Sequence, residues 1–181
     1  VSGYASDAPI LVFAGRGNNG GDALVAARYL KTWGFEVEVW LIAEARTLTG
    51  DAMAQFSRLR EAGVRFRETP TPDDLNDAFE EAHCDGGIIV DGVLGIGIVG
   101  PARGPAAAAI DCINELSRHN LVVAIDVPSG LDADTGEAPG GAVKADVTVT
   151  MGLPKRGLVQ TCALDYVGTV EVVDIGLPFE L

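Results

Sequence analysis

Short apolar runs alternate along this chain with stretches of helical period, and that alternation limits the available folds more than any other feature. Residues 9–14 (PILVFA) are apolar throughout and stop at a glycine, as a strand covered on both faces does. Residues 21–34 (GDALVAARYLKTWG) then place apolar side chains at helical spacing and end on a glycine suited to close a helix. The pattern recurs, with strand-like runs at 36–43, 64–68, 86–92, 121–126, 145–152 and 168–176 and helical runs at 50–63, 72–82 and 104–120. The run at 64–68 carries charge at alternate positions and is expected near a sheet edge. No linker or internal repeat interrupts the 181 residues. The expectation is one domain, 1–181: a doubly wound, Rossmann-like three-layer α/β/α fold with a mostly parallel sheet.

That architecture locates a site before any single residue is interpreted. In the strand order 3-2-1-4-5, ligands bind outside the carboxyl ends of the strands, where the order reverses between strands one and four. Three unusual loops leave those ends: GRGNNGGD (15–22), DGVLGIGIVGPARGP (91–105) and DVPSGLDADTG (126–136). They are expected to converge on one crevice.

Charge narrows what the crevice holds. A formal net charge of −13 argues against nucleic acid or an anionic membrane as partner, so an anionic ligand must be met locally by backbone N–H groups, a few basic side chains or a cation. Cys84, Cys112 and Cys162 are scattered and stand at no metal-ligand spacing from a histidine, which fits a reducing, cytoplasmic setting. No run approaches the roughly 18 apolar residues of a membrane span, and no signal peptide pattern opens the chain.

The first loop contains Gly15-x-Gly17-x-x-Gly20, the dinucleotide fingerprint, but follows it with Asp22, read as lying in the first turn of the helix. There Asp22 either compensates the helix dipole or accepts from a ribose hydroxyl or a water. A ribose-binding acid some 20 residues on is ambiguous: Glu36 has the spacing but opens strand two, whereas Glu44 closes it but lies further along. In the second loop Asp91 leaves an apolar strand, and Gly95, Gly97, Gly100 and Gly104 can form an amide nest for phosphate beside Arg103. In the third, Asp126 again ends an apolar strand, followed by Pro128, Ser129, Asp132 and Asp134. Asn19, Asp91, Asp126 and Ser129 thus bring hard oxygen donors to neighbouring strand ends, a set that suits a group-one or group-two cation better than zinc.

Four segments in order, GRGNNGGD, VDGVLGIG, IDVPSGLDADTG and VKADVTVTMGLPK, resemble the YjeF N-terminal domain family, the NAD(P)H-hydrate epimerases. The resemblance runs from about Ile10 to Gly176. It implies that Asn18, Asn19, Gly20, Gly21 and Asp22 contact a hydrated nicotinamide nucleotide, with Gly95, Ile96, Gly97, Ile98, Val99, Gly100 and Pro101 contacting its phosphates. It further implies that Asn19, Asp91 and Ser129 ligate a potassium ion and that Asp126 contacts substrate. The reaction implied is interconversion of the R and S forms of hydrated NADH and NADPH (NADHX and NADPHX) at nicotinamide C6, and Asp126 is the candidate acid–base group. The helical segment that the family carries ahead of strand one, which aids dimerisation in relatives, is missing from this sequence by the same reading; a homodimer is a further expectation. So is a dehydratase domain following in the full-length protein. A non-catalytic scaffold of the same fold and a nicotinamide-dependent dehydrogenase are the alternatives; no P-loop lysine pattern favours a kinase.

Overall fold

Both faces of the first strand are covered, which is why its sequence is apolar without alternation. In the computed structural model, which describes residues 9–82, 85–97 and 100–176, β1 spans Ile10–Ala14 and every residue of it is buried. Ile10, Val12 and Ala14 join one apolar cluster, whereas Leu11 and Phe13 point to the other. β1 pairs in parallel with β2 (Val37–Leu41) on one side and β4 (Ile88–Gly92) on the other. With β3 (Arg65–Glu68), β5 (Leu121–Ile125), β6 (Val147–Met151) and β7 (Thr169–Val173) the sheet has seven strands in the order 3-2-1-4-5-6-7, all parallel. The expected three-layer α/β/α domain is therefore the observed one, and β3 and β7 are its edges.

Helices α1 (Asn18–Thr32) and α2 (Gly50–Glu61) cover one face through Ala23, Leu24, Ala27, Phe56 and Leu59. Helices α3 (Pro72–Glu80) and α4 (Pro105–Leu116) cover the other through Leu75, Ala78, Ile110 and Ile113, beside an edge-to-face pair of Phe13 and Trp40 with ring centroids 5.1 Å apart. A smaller cluster of Val127, Leu131, Leu158 and Val167 fills the corner where a short helix, α5 (Leu164–Val167), leads into β7. Among the described residues no helix is long and apolar enough to cross a membrane.

Local chemistry sets the helix ends. Gly34 and Gly63, both at positive φ, close α1 and α2 with paired backbone bonds, Phe35 N to Leu30 O and Gly34 N to Lys31 O in the first and Val64 N to Leu59 O and Gly63 N to Arg60 O in the second. Thr71 opens α3 with a reciprocal cap to Asp74, and Pro72 takes the first helical position.

The start of α1 corrects one expectation. The helix begins at Asn18, not near Gly21, so Asp22 lies beyond the first turn and does not cap it. Gly20 enters the helix against its propensity because the backbone there approaches its neighbours too closely for a side chain. A Cβ on Gly20 would run into the carbonyl of Gly15, and one on Gly92 would meet Ala23 Cβ. Gly20→Ala is accordingly expected to cost about 3 kcal/mol, lowering the melting temperature by roughly 6–12 °C for a domain of this size. Gly17→Ala, with open space around the added methyl, should melt close to wild type. Thermal denaturation of the two variants checks this; equal melting would show that the helix start yields easily.

Candidate functional site

The exits of β1, β4 and β5 meet, as the loop-rich sequence segments require, in one crevice of about 1280 Å³. Its wall includes Gly15–Asn19, Asp22, Val93–Gly97, Pro101–Arg103 and Asp126. Of the expected substrate loop, Gly95, Ile96, Gly97 and Pro101 line this space, whereas Ile98 and Val99 lie outside the described residues. Gly95 touches α1 so closely that a Cβ there would sit 3.1 Å from that of Asn19. The first and second loops are thus in direct contact.

Beneath the crevice, hydrogen bonds tie the three loops together. Asp91 is fully buried at the end of β4. Its Oδ2 accepts from Ser129 N at 2.8 Å, and its Oδ1 accepts from Ser129 Oγ at 2.5 Å and Val93 N at 3.2 Å. Ser129 Oγ in turn accepts from Leu94 N at 2.8 Å, and Leu94 O accepts from Asn19 Nδ2 at 2.8 Å. Asn19 Oδ1, however, is buried with no donor among the described residues. A buried amide oxygen left without a donor carries a desolvation cost, and a cation would relieve it. The donors around it are amide, carbonyl, hydroxyl and carboxylate oxygens, as an alkali cation prefers. Asn19, Asp91 and Ser129 therefore do come together, and their chemistry fits potassium.

Two helices present unguarded N-termini to the same space. α1 starts after Gly17 and α4 after Gly104, and neither has a side-chain cap. Arg16, Gly17 and Asn18 from the first, and Arg103, Pro105 and Ala106 from the second, line the crevice. Free N–H groups at the positive ends of two dipoles give an acidic protein a local seat for phosphate. Of the two acids weighed for a ribose, Glu44 lines the crevice beyond β2, whereas Glu36 precedes β2 at the opposite end of the sheet. Asp22 faces the crevice from α1, and partial burial followed by the charge of Asp126 pushes its carboxyl above the usual range.

Asp126 sits in an unusual backbone. It is the one non-glycine residue at positive φ among the described residues (67°), with Val127 N bonded back to Ile125 O at 2.8 Å in a γ-turn. Such a conformation is costly and persists where its surroundings hold it. Here the carboxylate does the holding, through the exit of β6: Oδ1 accepts from Met151 N at 3.1 Å, Thr150 Oγ1 at 3.2 Å and the Lys155 ammonium. Lys155 was not among the residues singled out from the sequence. Its only sequence signal is its place in GLPK, just past the end of a strand adjacent to β5. Asp132 and Asp134 stand apart, Asp132 Oδ1 accepting from Asp134 N and Thr135 N to shape its own turn.

Asp91 also generates a pH dependence. Burial pushes its carboxyl up to about 6, against the lowering effect of the bonds from Ser129 and Val93. A folded value above the ordinary 3.8 means that the stability it contributes is fully present below about pH 4 and lost as pH rises through about 6. In metal-free buffer the wild type should lose up to about 3 kcal/mol across that window relative to Asp91→Asn. Urea unfolding at a series of pH values measures it; parallel curves for the two proteins would show that this carboxyl titrates normally.

The comparisons with known proteins agree with this geometry. The family model described as "YjeF-related protein N-terminus" matches residues 3–157. A bifunctional NAD(P)H-hydrate repair enzyme Nnr of Moorella thermoacetica is 40% identical over 99% of the chain, which spans only 33% of that relative. An NAD(P)H-hydrate epimerase of Rhodopirellula baltica is 35% identical over the whole chain and 71% of its own length. The crystal structure of the yeast protein ynu0 superposes with a TM-score of 0.72 at 26% identity, covering 87% of this chain and 63% of that one. The chain thus spans about a third of the bifunctional relatives it matches, and by sequence and fold alike it belongs to the YjeF-related N-terminal domain family.

Proposed function

We propose that this domain is an isomerase that interconverts the R and S forms of NADHX and NADPHX by inverting nicotinamide C6. The observation that carries the reading is Asp126, a carboxylate held rigidly at the wall of a crevice that two uncapped helix N-termini make attractive to a pyrophosphate. Relatives bearing the epimerase name at 35–37% identity over most of their length support it.

In the hydrated nucleotide, a hydroxyl at C6 stands beside the ring nitrogen. Protonated Asp126 gives its proton to that hydroxyl; the C6–O bond breaks with loss of water as the nitrogen lone pair forms an iminium ion. The iminium ring then turns about its glycosidic bond to present its other face, and water adds there while the Asp126 carboxylate takes the water's proton, so acid and base regenerate each other. The carboxylates of Asp22 and Asp126 line the space the cationic ring would occupy and favour its charge. Potassium is the proposed ion, held by Asn19 Oδ1, Asp91 and Ser129; when bound it would supply positive charge beneath the nucleotide. Homodimerisation and, in the full-length protein, a following dehydratase domain belong to the same proposal, the latter supported by the bifunctional relatives.

Two outcomes test the reading. Asp126→Asn keeps size and hydrogen bonding but cannot exchange a proton, so epimer interconversion followed by chromatography should slow by about 10²-fold or more. Nucleotide affinity should fall far less, and near-wild-type turnover would end the proposal. In wild type, potassium should raise the melting temperature relative to a bulky organic cation at equal ionic strength, and Asn19→Ala should remove that rise. Identical melting of wild type in both salts would dismiss the ion.

A further inference from the structure

We infer that Lys155 is the positioning residue of Asp126, holding its carboxylate so that one oxygen is saturated and the other is left to exchange protons; this rests on the epimerase reading. The three N–H donors of the Lys155 ammonium find three acceptors: Asp126 Oδ1, Met151 O at 3.0 Å and Thr150 Oγ1 at 3.2 Å. Asp126 Oδ1 is likewise filled, accepting from Lys155, from Thr150 Oγ1 at 3.2 Å and from Met151 N at 3.1 Å. Among the described residues, no donor reaches Oδ2. All the restraint therefore falls on one oxygen of a carboxylate whose residue faces the crevice. A fixed oxygen on the protein side and an open oxygen on the ligand side is what a proton-transferring carboxyl needs to keep its angle through repeated turnover.

Two further features argue against an ion pair that serves the fold alone. The pair is largely buried, with Lys155 and Asp126 side chains 20% and 13% exposed, unlike the solvated pairs elsewhere such as Arg46–Glu44. It also anchors the one described non-glycine residue at positive φ, so the lysine holds a strained carboxylate at the crevice, whereas a relaxed residue would have served structure equally well. Lys155 itself is not in the crevice wall, so it acts through Asp126, whose negative charge it balances each time the proton leaves.

Lys155→Met removes the ammonium and keeps the stem. In epimer interconversion with separated NADPHX epimers, above the protein-free rate, kcat should fall about 30-fold or more while KM stays within about threefold. Combined with Asp126→Asn, it should cost almost nothing further, because a lysine acting through Asp126 has nothing left to position. If thermal melting shows that Lys155→Met does not fold, Lys155→Arg carries the test: its planar fork cannot converge on three acceptors from a single nitrogen as the ammonium does, so kcat should drop several-fold with KM held. Full kcat in the folded variant, a loss confined to KM, or the same fold-loss in the Asp126→Asn background would each overturn the assignment. A wild type that leaves the epimers unchanged would instead bring down the epimerase reading, and this assignment with it.

Discussion

Everything at the carboxyl end of this sheet depends on one carboxylate taken out of water. Asp91 ends an apolar strand, and its burial is tolerable only because Ser129 and Val93 supply three hydrogen bonds to it. Those bonds lash the exit of β4 to the exit of β5, and the Ser129 hydroxyl and the Leu94 peptide extend the tie to Asn19 on α1. Three loops distant in sequence become a single platform. The glycine contacts add to it, since Gly15, Gly20 and Gly92 let the start of α1 lie directly on the strand exits.

On that platform, attraction for an anion is built from backbone and not from net charge. A chain at −13 repels a pyrophosphate at long range, so the proposed binding would be won at contact distance, from uncapped helix N-termini, Arg16 and Arg103. The unpartnered Asn19 oxygen and the Asp91 carboxylate mark where positive charge would complete the arrangement. Asp126 stands in the wall of the same crevice, strained in φ and braced by Lys155, a combination that stores geometry where proton transfer is proposed.

Particular residues show how far the sequence could be read. β1 and β4 were legible because continuous apolar runs ended by glycine or aspartate have few other uses, and α3 because Thr71, Pro72 and Asp74 spell a helix start. The start of α1 was misplaced because two asparagines and two glycines carry no helical preference; the close approach of Gly20 to Gly15 explains why a glycine stands at that position of the first turn. Glu36 and Glu44 could not be separated by spacing, which measures distance along the chain and not which end of a strand a residue occupies. Lys155 escaped notice because a lysine after a strand is ordinarily a solvated side chain, and its partner lies 29 residues away.

What the sequence determined by itself was the layered parallel fold, the crevice where strand order reverses, and the presence there of Asn19, Asp91, Asp126 and Ser129. Periodicity and strand-end chemistry are local properties, and topology rules carry them to a site. Tertiary structure alone decided that both oxygens of Asp91 but one of Asp126 are committed, that Asn19 Oδ1 has no donor among the described residues, and that Lys155 faces Asp126. Those facts depend on atoms brought within about 3 Å from distant segments, a distance at which hydrogen bonding is decided by side-chain direction and not by order in the chain.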